Sequence, residues 1–162
     1  MVDVWTVAAQ TPDPELPMLT LADLGILRDV REDGGTVVAT ITPTYSGCPA
    51  MREISLDLRH RLQQAGYADV TVRTQLAPAW STDWITEDGR RKLAGAGIAP
   101  PNPLGQHTGR IPLTLTARPA AVNCPQCGSS DTQQTAAYSG TACKALYRCT
   151  DCSEPFEYVK EI

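Results

Sequence analysis

Cys124 and Cys127 lie in Cys-Pro-Gln-Cys-Gly, Cys149 and Cys152 in Cys-Thr-Asp-Cys, and 21 residues separate the pairs. Two Cys-x-x-Cys turns one hairpin apart are the spacing of a zinc ribbon, because each turn presents two thiolates and the strands between them fold one turn over the other. Gly128 follows the first pair, where a tight turn favours a residue that tolerates positive φ. The loop from Thr132 to Tyr147 alternates enough for two short strands. Between Cys124 and Ile162 there is one phenylalanine and few aliphatics. A segment below about 40 residues seldom buries enough apolar surface to fold alone, so a structural zinc on these four thiolates is the expectation. Two disulfides, or an iron or iron-sulfur centre, would use the same four residues.

A second nucleophile stands at Cys48, in Thr42-Pro43-Thr44-Tyr45-Ser46-Gly47-Cys48-Pro49. With Pro49 as the first helical residue, Cys48 occupies the cap, where orphan amides and the helix dipole stabilise a thiolate and lower its pKa. The plainer alternative is a half-buried cysteine filling the cap. Asp13-Pro14-Glu15-Leu16-Pro17 holds two carboxylates in an extended, proline-stiffened stretch. It reads either as a rigid turn with solvated acids or as part of a site. His60 falls within a helical pattern and His107 in a Pro/Gly-rich stretch, and neither has a visible tie to Cys48, which leaves a thiol-dependent hydrolase without a base.

The elements that must position these groups follow from local pattern. Leu24 to Val30, then Asp33-Gly34-Gly35, then Thr36 to Thr42 reads as a β-hairpin. Met51, Ile54, Leu58, Leu62 and Ala65 recur at helical spacing and predict an amphipathic helix stopped at Gly66. Asp69 to Leu76 predicts a third strand, and Thr86 to Ala94 a last helix. The order predicts an α+β domain, a small mixed sheet with helices on one face, followed by an all-β C-terminal zinc ribbon. Gly95 to Pro112 is too rich in Pro and Gly for a regular element, although Ile98, Leu104 and Ile111 within it are apolar. The domain expectation is therefore 1–97, a connector over 98–120, and the ribbon over 121–162.

Composition limits the function classes. The formal net charge is −4, and from Pro119 onward Lys144, Arg148 and Lys160 face Asp131, Asp151, Glu154, Glu157 and Glu161. A ribbon of that sign is poorly suited to grip a polyanion, so no nucleic-acid partner is expected. No basic leader or apolar run of spanning length is visible, which predicts no membrane association, a cytoplasmic location and reduced cysteines. There are no Glu-x-x-His pairs for a di-iron bundle and no dinucleotide or flavin fingerprint.

Asp13-Pro14-Glu15-Leu16-Pro17, Leu24-Gly25-Ile26 and Thr44 to Pro49 together resemble the domain of SufT-like and cytosolic iron-sulfur assembly proteins, whose reactive cysteine precedes a proline at a helix start. Adding Pro78 to Thr86, Cys124-Pro-Gln-Cys-Gly and Ser139 to Cys149, nearly the whole chain resembles the PaaD subunits of bacterial phenylacetyl-CoA epoxidase systems. The resemblance implies an accessory protein without catalytic activity of its own. It would mature or maintain the iron-sulfur or di-iron centre of the oxygenase and reductase subunits, its partners. It implies Cys48, with Asp13 and Glu15 nearby, as an open ligand set for transient iron or an iron-sulfur cluster. A subunit bridging the complex without metal transfer is the alternative, and a homodimer is left open. Cys143, the sixth cysteine, is read first as a core thiol beneath the ribbon, with a substitute ligand or a handover thiol as alternatives.

Overall fold

The computed structural model describes residues 3–104 and 121–162. These residues divide into two compact units, one of residues 3–92 with Ile162 and one drawn from 93–104 and 121–161.

The first unit is built on a three-stranded mixed sheet of β1 (Leu27–Asp33), β2 (Thr36–Ile41) and β3 (Asp69–Thr74), in the order β1-β2-β3. β1 and β2 pair antiparallel from Leu27↔Ile41 to Asp33↔Thr36 through a two-residue turn. Gly34 and Gly35 both have positive φ, +58° and +89°, as such a turn requires. β2 then pairs parallel with β3, from Thr36↔Asp69 to Ile41↔Thr74. Helix α2 (Ala50–Gln64) makes the crossover that a parallel pair demands. Central β2 buries Val37, Val38, Ala39 and Ile41 on both faces. Edge strand β1 carries Arg28, Asp29, Arg31, Glu32 and Asp33, charges that discourage pairing with another chain.

α2 buries Ala50, Ile54, Leu58 and Leu62, one stripe at a spacing of four. It stops where expected: Gly66 has φ +101°, its N–H donates to Gln63 O at 3.0 Å, and Tyr67 N donates to Leu62 O at 3.2 Å. That pair of bonds is a Schellman cap. Helix α1 (Val4–Ala9), capped by the Asp3 side chain accepting from Thr6 N, has too short a pattern to be seen in the sequence. The first strand begins at Leu27 rather than Leu24, because Leu21 O takes the N–H groups of both Ile26 and Leu27 and holds Leu24-Gly25-Ile26 in a turn. Helix α3 (Glu87–Gly95) follows a short 3₁₀ turn at Thr82–Trp84, and the boundary between the units falls within it.

In the second unit, β4 (Ile98–Ala99), β5 (Thr132–Ala136), β6 (Lys144–Cys149) and β7 (Pro155–Val159) form a sheet in the order β4-β7-β6-β5. β4 corrects the expectation that Gly95 to Pro112 holds no regular element. Ile98 and Ala99 pair in parallel with Glu157 and Tyr158, and both are buried. The strand exists because a partner distant in sequence supplies its hydrogen bonds, which no local pattern can announce. His107 and Ile111 lie outside the described residues. Ala99, Val122, Cys124, Cys149, Phe156 and Tyr158 form the ribbon core, and Tyr147 stacks on Phe156 at 5.9 Å and meets Tyr158 edge-on at 5.4 Å. No described helix is long and apolar enough to cross a membrane.

Candidate metal centre and thiol loop

The ribbon places its four cysteines on two turns of similar design. In the first, Cys124 N donates to Ser129 O and Gly128 N to Cys124 O, both at 2.8 Å, and Gly128 has φ +76°. In the second, Cys149 N donates to Glu154 O at 2.9 Å, and Ser153 takes the left-handed position with φ +64°. The four sulfurs lie within 4.8 Å of one another. Cys124 Sγ is 3.7 Å from Cys152 Sγ, and Cys127 Sγ is 3.6 Å from Cys149 Sγ. A tetrahedral zinc with Zn–S of about 2.3 Å requires sulfur separations of about 3.8 Å, so the donor set fits a tetrahedral thiolate metal. None of the six cysteines is disulfide-bonded.

Backbone amides and sulfur neighbours set the thiol electrostatics. Burial raises the Cys124 pKa, but the amides of Cys127 and Gln126 and the neighbouring sulfurs outweigh it and bring the thiol down to about 7. The Glu154 amide lowers Cys152, yet desolvation and the sulfurs of Cys127, Cys149 and Cys124 push it up to about 12. The Ser129 amide likewise lowers Cys127, and the Cys149 sulfur turns the balance upward. Four thiolates cannot all stay ionised side by side without a cation, so a bound metal would supply the compensating charge. Cys124 and Cys149 are buried whereas Cys127 and Cys152 are exposed, so one edge of the tetrahedron faces water.

Cys143 is half-buried and outside the ribbon core, which corrects the expectation of a core thiol. The turn before β6 carries it, with its sulfur 3.1 Å from Thr141 Oγ1. The next residue turns inward instead: Lys144 is buried and its Nζ meets Glu157 Oε2 at 2.8 Å, while Ser139 Oγ donates to Glu157 Oε1.

Cys48 lies on the loop from β2 into α2. Pro49, with φ −68° and ψ −25°, is itself the N-cap of a helix that begins at Ala50, which corrects the expectation that Cys48 occupies the cap; Cys48 stands one residue before it, and no side chain caps the helix. Cys48 contributes its carbonyl, which accepts from Met51 N at 3.4 Å, and its side chain is half-buried. The loop leaves the carboxyl end of a parallel strand pair, where open α/β sheets gather their ligands. Pro43, Thr44, Tyr45 and Ser46 line a cleft of about 190 Å³ together with Leu76 and Trp80. Trp80 is fixed by its Nε1–H donating to Leu24 O at 2.8 Å.

The acidic segment reaches the same end of the sheet. Thr42 N bonds Ile26 O, Ile26 N bonds Leu21 O, and Leu21 N bonds Thr11 O, all at 2.8–2.9 Å. Asp13 is buried at 6% exposure, and its Oδ1 accepts from Glu15 N at 2.9 Å and Leu16 N at 2.8 Å. It therefore organises its own turn. Glu15 is half-buried. Thr11 and Thr42 carry buried hydroxyls with no hydrogen-bond partner among the described residues. Nothing in the sequence around Thr11 signals this. Among the described residues, the ribbon quartet alone gathers three or more Cys, His, Asp or Glu side chains closely enough to share a metal. Cys48, Asp13 and Glu15 do not form such a closed set.

Residues 2–73 match the model of the iron-sulfur cluster assembly protein family, and residues 109–160 match the PaaD zinc β-ribbon domain. A protein of Escherichia coli K12 named as the D subunit of 1,2-phenylacetyl-CoA epoxidase is 44% identical over 98% of this chain and 91% of its own length. The chain belongs to the family of phenylacetyl-CoA epoxidase D subunits. Among solved structures, a domain of unknown function, DUF59, from Bacillus anthracis has a TM-score of 0.51 and 26% identity, covering 56% of this chain and 87% of its own. A conserved hypothetical protein from Thermotoga maritima has a TM-score of 0.47 and 26% identity, covering 56% of this chain and 90% of its own.

Proposed function

We propose that this chain is an accessory subunit of a phenylacetyl-CoA epoxidase system that matures or maintains the iron-sulfur or di-iron centre of its oxygenase or reductase partners. The observation that carries the reading is the 44% identity across nearly the whole chain to a D subunit, joined to the iron-sulfur assembly match over residues 2–73. The division of labour follows from ligand number. The ribbon quartet offers four thiolates to one metal, a closed set suited to permanent structural zinc. Cys48 offers a single sulfur at a helix start, beside a cleft and on the same end of the sheet as Asp13 and Glu15. An incomplete set can take iron or a cluster as cargo and release it, since an acceptor's own ligands complete the coordination as Cys48 leaves. The exchange moves no electrons; the Cys48 thiol loses a proton on binding cargo and regains it on release. Asp13 acts mainly by shaping the Glu15-Leu16 turn, and Glu15 is the carboxylate we assign to cargo. The site of action would be the cytoplasm, where the cysteines remain reduced.

The test uses oxygenase and reductase purified fully loaded. Consumption of phenylacetyl-CoA should proceed with this chain omitted, whereas partners produced alongside Cys48→Ala should be short of iron and sulfide. A requirement for this chain at every turnover would instead support a bridging subunit without metal transfer.

A further inference from the structure

The exposed edge of the ribbon site is tied shut by residues that bind no metal. Ser129 Oγ donates to Asp151 Oδ2, joining the first cysteine turn to the second. The same Ser129 oxygen accepts from Asp131 N at 3.0 Å. Asp131 O in turn accepts from Thr150 N at 2.9 Å and Thr150 Oγ1 at 2.8 Å. Ser129 lies two residues after Cys127, and Asp151 directly precedes Cys152, so the bond joins the loops of the two solvent-exposed ligands. The buried ligands need no such tie, because Cys124 and Cys149 are packed into the ribbon core.

We infer that Ser129 and Asp151 form a latch that holds the exposed edge of the tetrahedron and sets how slowly the ribbon surrenders its metal. The inference rests on the reading of the quartet as a metal site. Removal by a chelator must begin by detaching one sulfur, and Cys127 and Cys152 are the ones water reaches. Detachment means swinging one turn away from the other, which the Ser129–Asp151 bond opposes. Residues that orient metal ligands typically change metal affinity about 10–100-fold when lost.

The test loads the full chain with zinc and follows its removal by excess chromophoric pyridylazo chelator. Ser129→Ala and Asp151→Ala should each release zinc about tenfold faster than the parent protein. The double variant should be no faster than Ser129→Ala, since that change already removes the Ser129–Asp151 bond together with the acceptor for Asp131 N. Asp151→Asn keeps an acceptor oxygen and Ser129→Thr keeps a donor, so both should stay near the parent rate. Cobalt titration provides a second reading for any variant isolated without metal: the alanine variants should bind cobalt more weakly with an unchanged tetrahedral thiolate spectrum. Equal rates for all variants, Asp151→Asn as fast as Asp151→Ala, or multiplying effects in the double variant would each overturn the latch. A parent protein that takes up neither zinc nor cobalt would instead overturn the metal site beneath it.

Discussion

At the scale of single residues, the six cysteines divide by how they are gathered. Four converge on one point, and Cys48 and Cys143 remain outside that group, both half-buried. Zinc-loaded protein should therefore yield two alkylatable thiols by mass spectrometry, and the cargo role proposed for Cys48 expects it to be modified faster than Cys143. Equal or slower labelling at Cys48 would remove the argument for an activated ligand there. The ribbon thiols predict a proton signature of their own. With Cys127 held above its ordinary value and Cys152 pushed up to about 12, the metal-free site keeps protons at neutral pH. Metal binding must expel them. Zinc titration in weak buffer with a pH indicator should register more than one proton released per metal, and affinity should fall as pH falls.

At the scale of elements, two contacts carry distinct predictions. Gly25 has φ +68°, and a Cβ there would stand 2.7 Å from Trp84 Cβ and 2.8 Å from Trp84 O. Backbone strain and overlap act together, so Gly25→Ala should cost about 2–4 kcal/mol, measured by urea denaturation. The second contact is Lys144–Glu157 in the ribbon sheet. Burial raises the Glu157 pKa, but the hydrogen bonds from Lys144 and Ser139 outweigh it and leave it below its ordinary value. A carboxyl depressed in the folded state contributes stability above its unfolded pKa of 4.5, and that contribution is lost as pH falls through the folded value. Lys144→Met should destabilise the ribbon by about 2 kcal/mol at neutral pH. Its deficit relative to the parent should shrink as the pH falls below 4.5 and through the depressed folded value, once Glu157 is neutral in both proteins. A deficit that did not change with pH across the acid range would mean that lost packing of the lysine stem, not the ion pair, was responsible.

At the scale of the whole molecule, the two units differ in what stabilises them. The first buries Leu19, Leu21, Ile41, Ile54, Leu58 and Leu62 almost completely, an apolar core that asks nothing of a metal. Among the described residues the ribbon core is six side chains, two of them cysteines of the quartet. Chelation, or Cys149→Ser, should therefore release the ribbon amides to hydrogen exchange while those of β1, β2 and β3 remain protected. Simultaneous loss of protection in both units would show a single cooperative structure.

Much of this molecule was legible because its signals are local. Cys-x-x-Cys spacing announces four sulfurs gathered at one point, the Gly34-Gly35 pair dictates a tight hairpin, and Ile54, Leu58 and Leu62 dictate a buried helix face ended by Gly66. These depend on residues a few positions apart, which is the range over which backbone geometry constrains side chains. What only the tertiary structure decided depends on partners far along the chain. Ile98 and Ala99 become a strand because β7 offers them hydrogen bonds. Asp13, read as a solvated acid or a ligand, is buried once Leu19 and Leu21 fold its segment back, and its carboxylate is engaged by two amides of its own turn. Leu24-Gly25-Ile26 reads as the start of a strand, yet its glycine exists to let Trp84 lie against the backbone. The Ser129–Asp151 bond spans 22 positions and joins two residues that look, in sequence, like ordinary polar surface. Burial and long-range hydrogen bonding are properties of a closed chain, and no window of sequence contains both halves of such a contact.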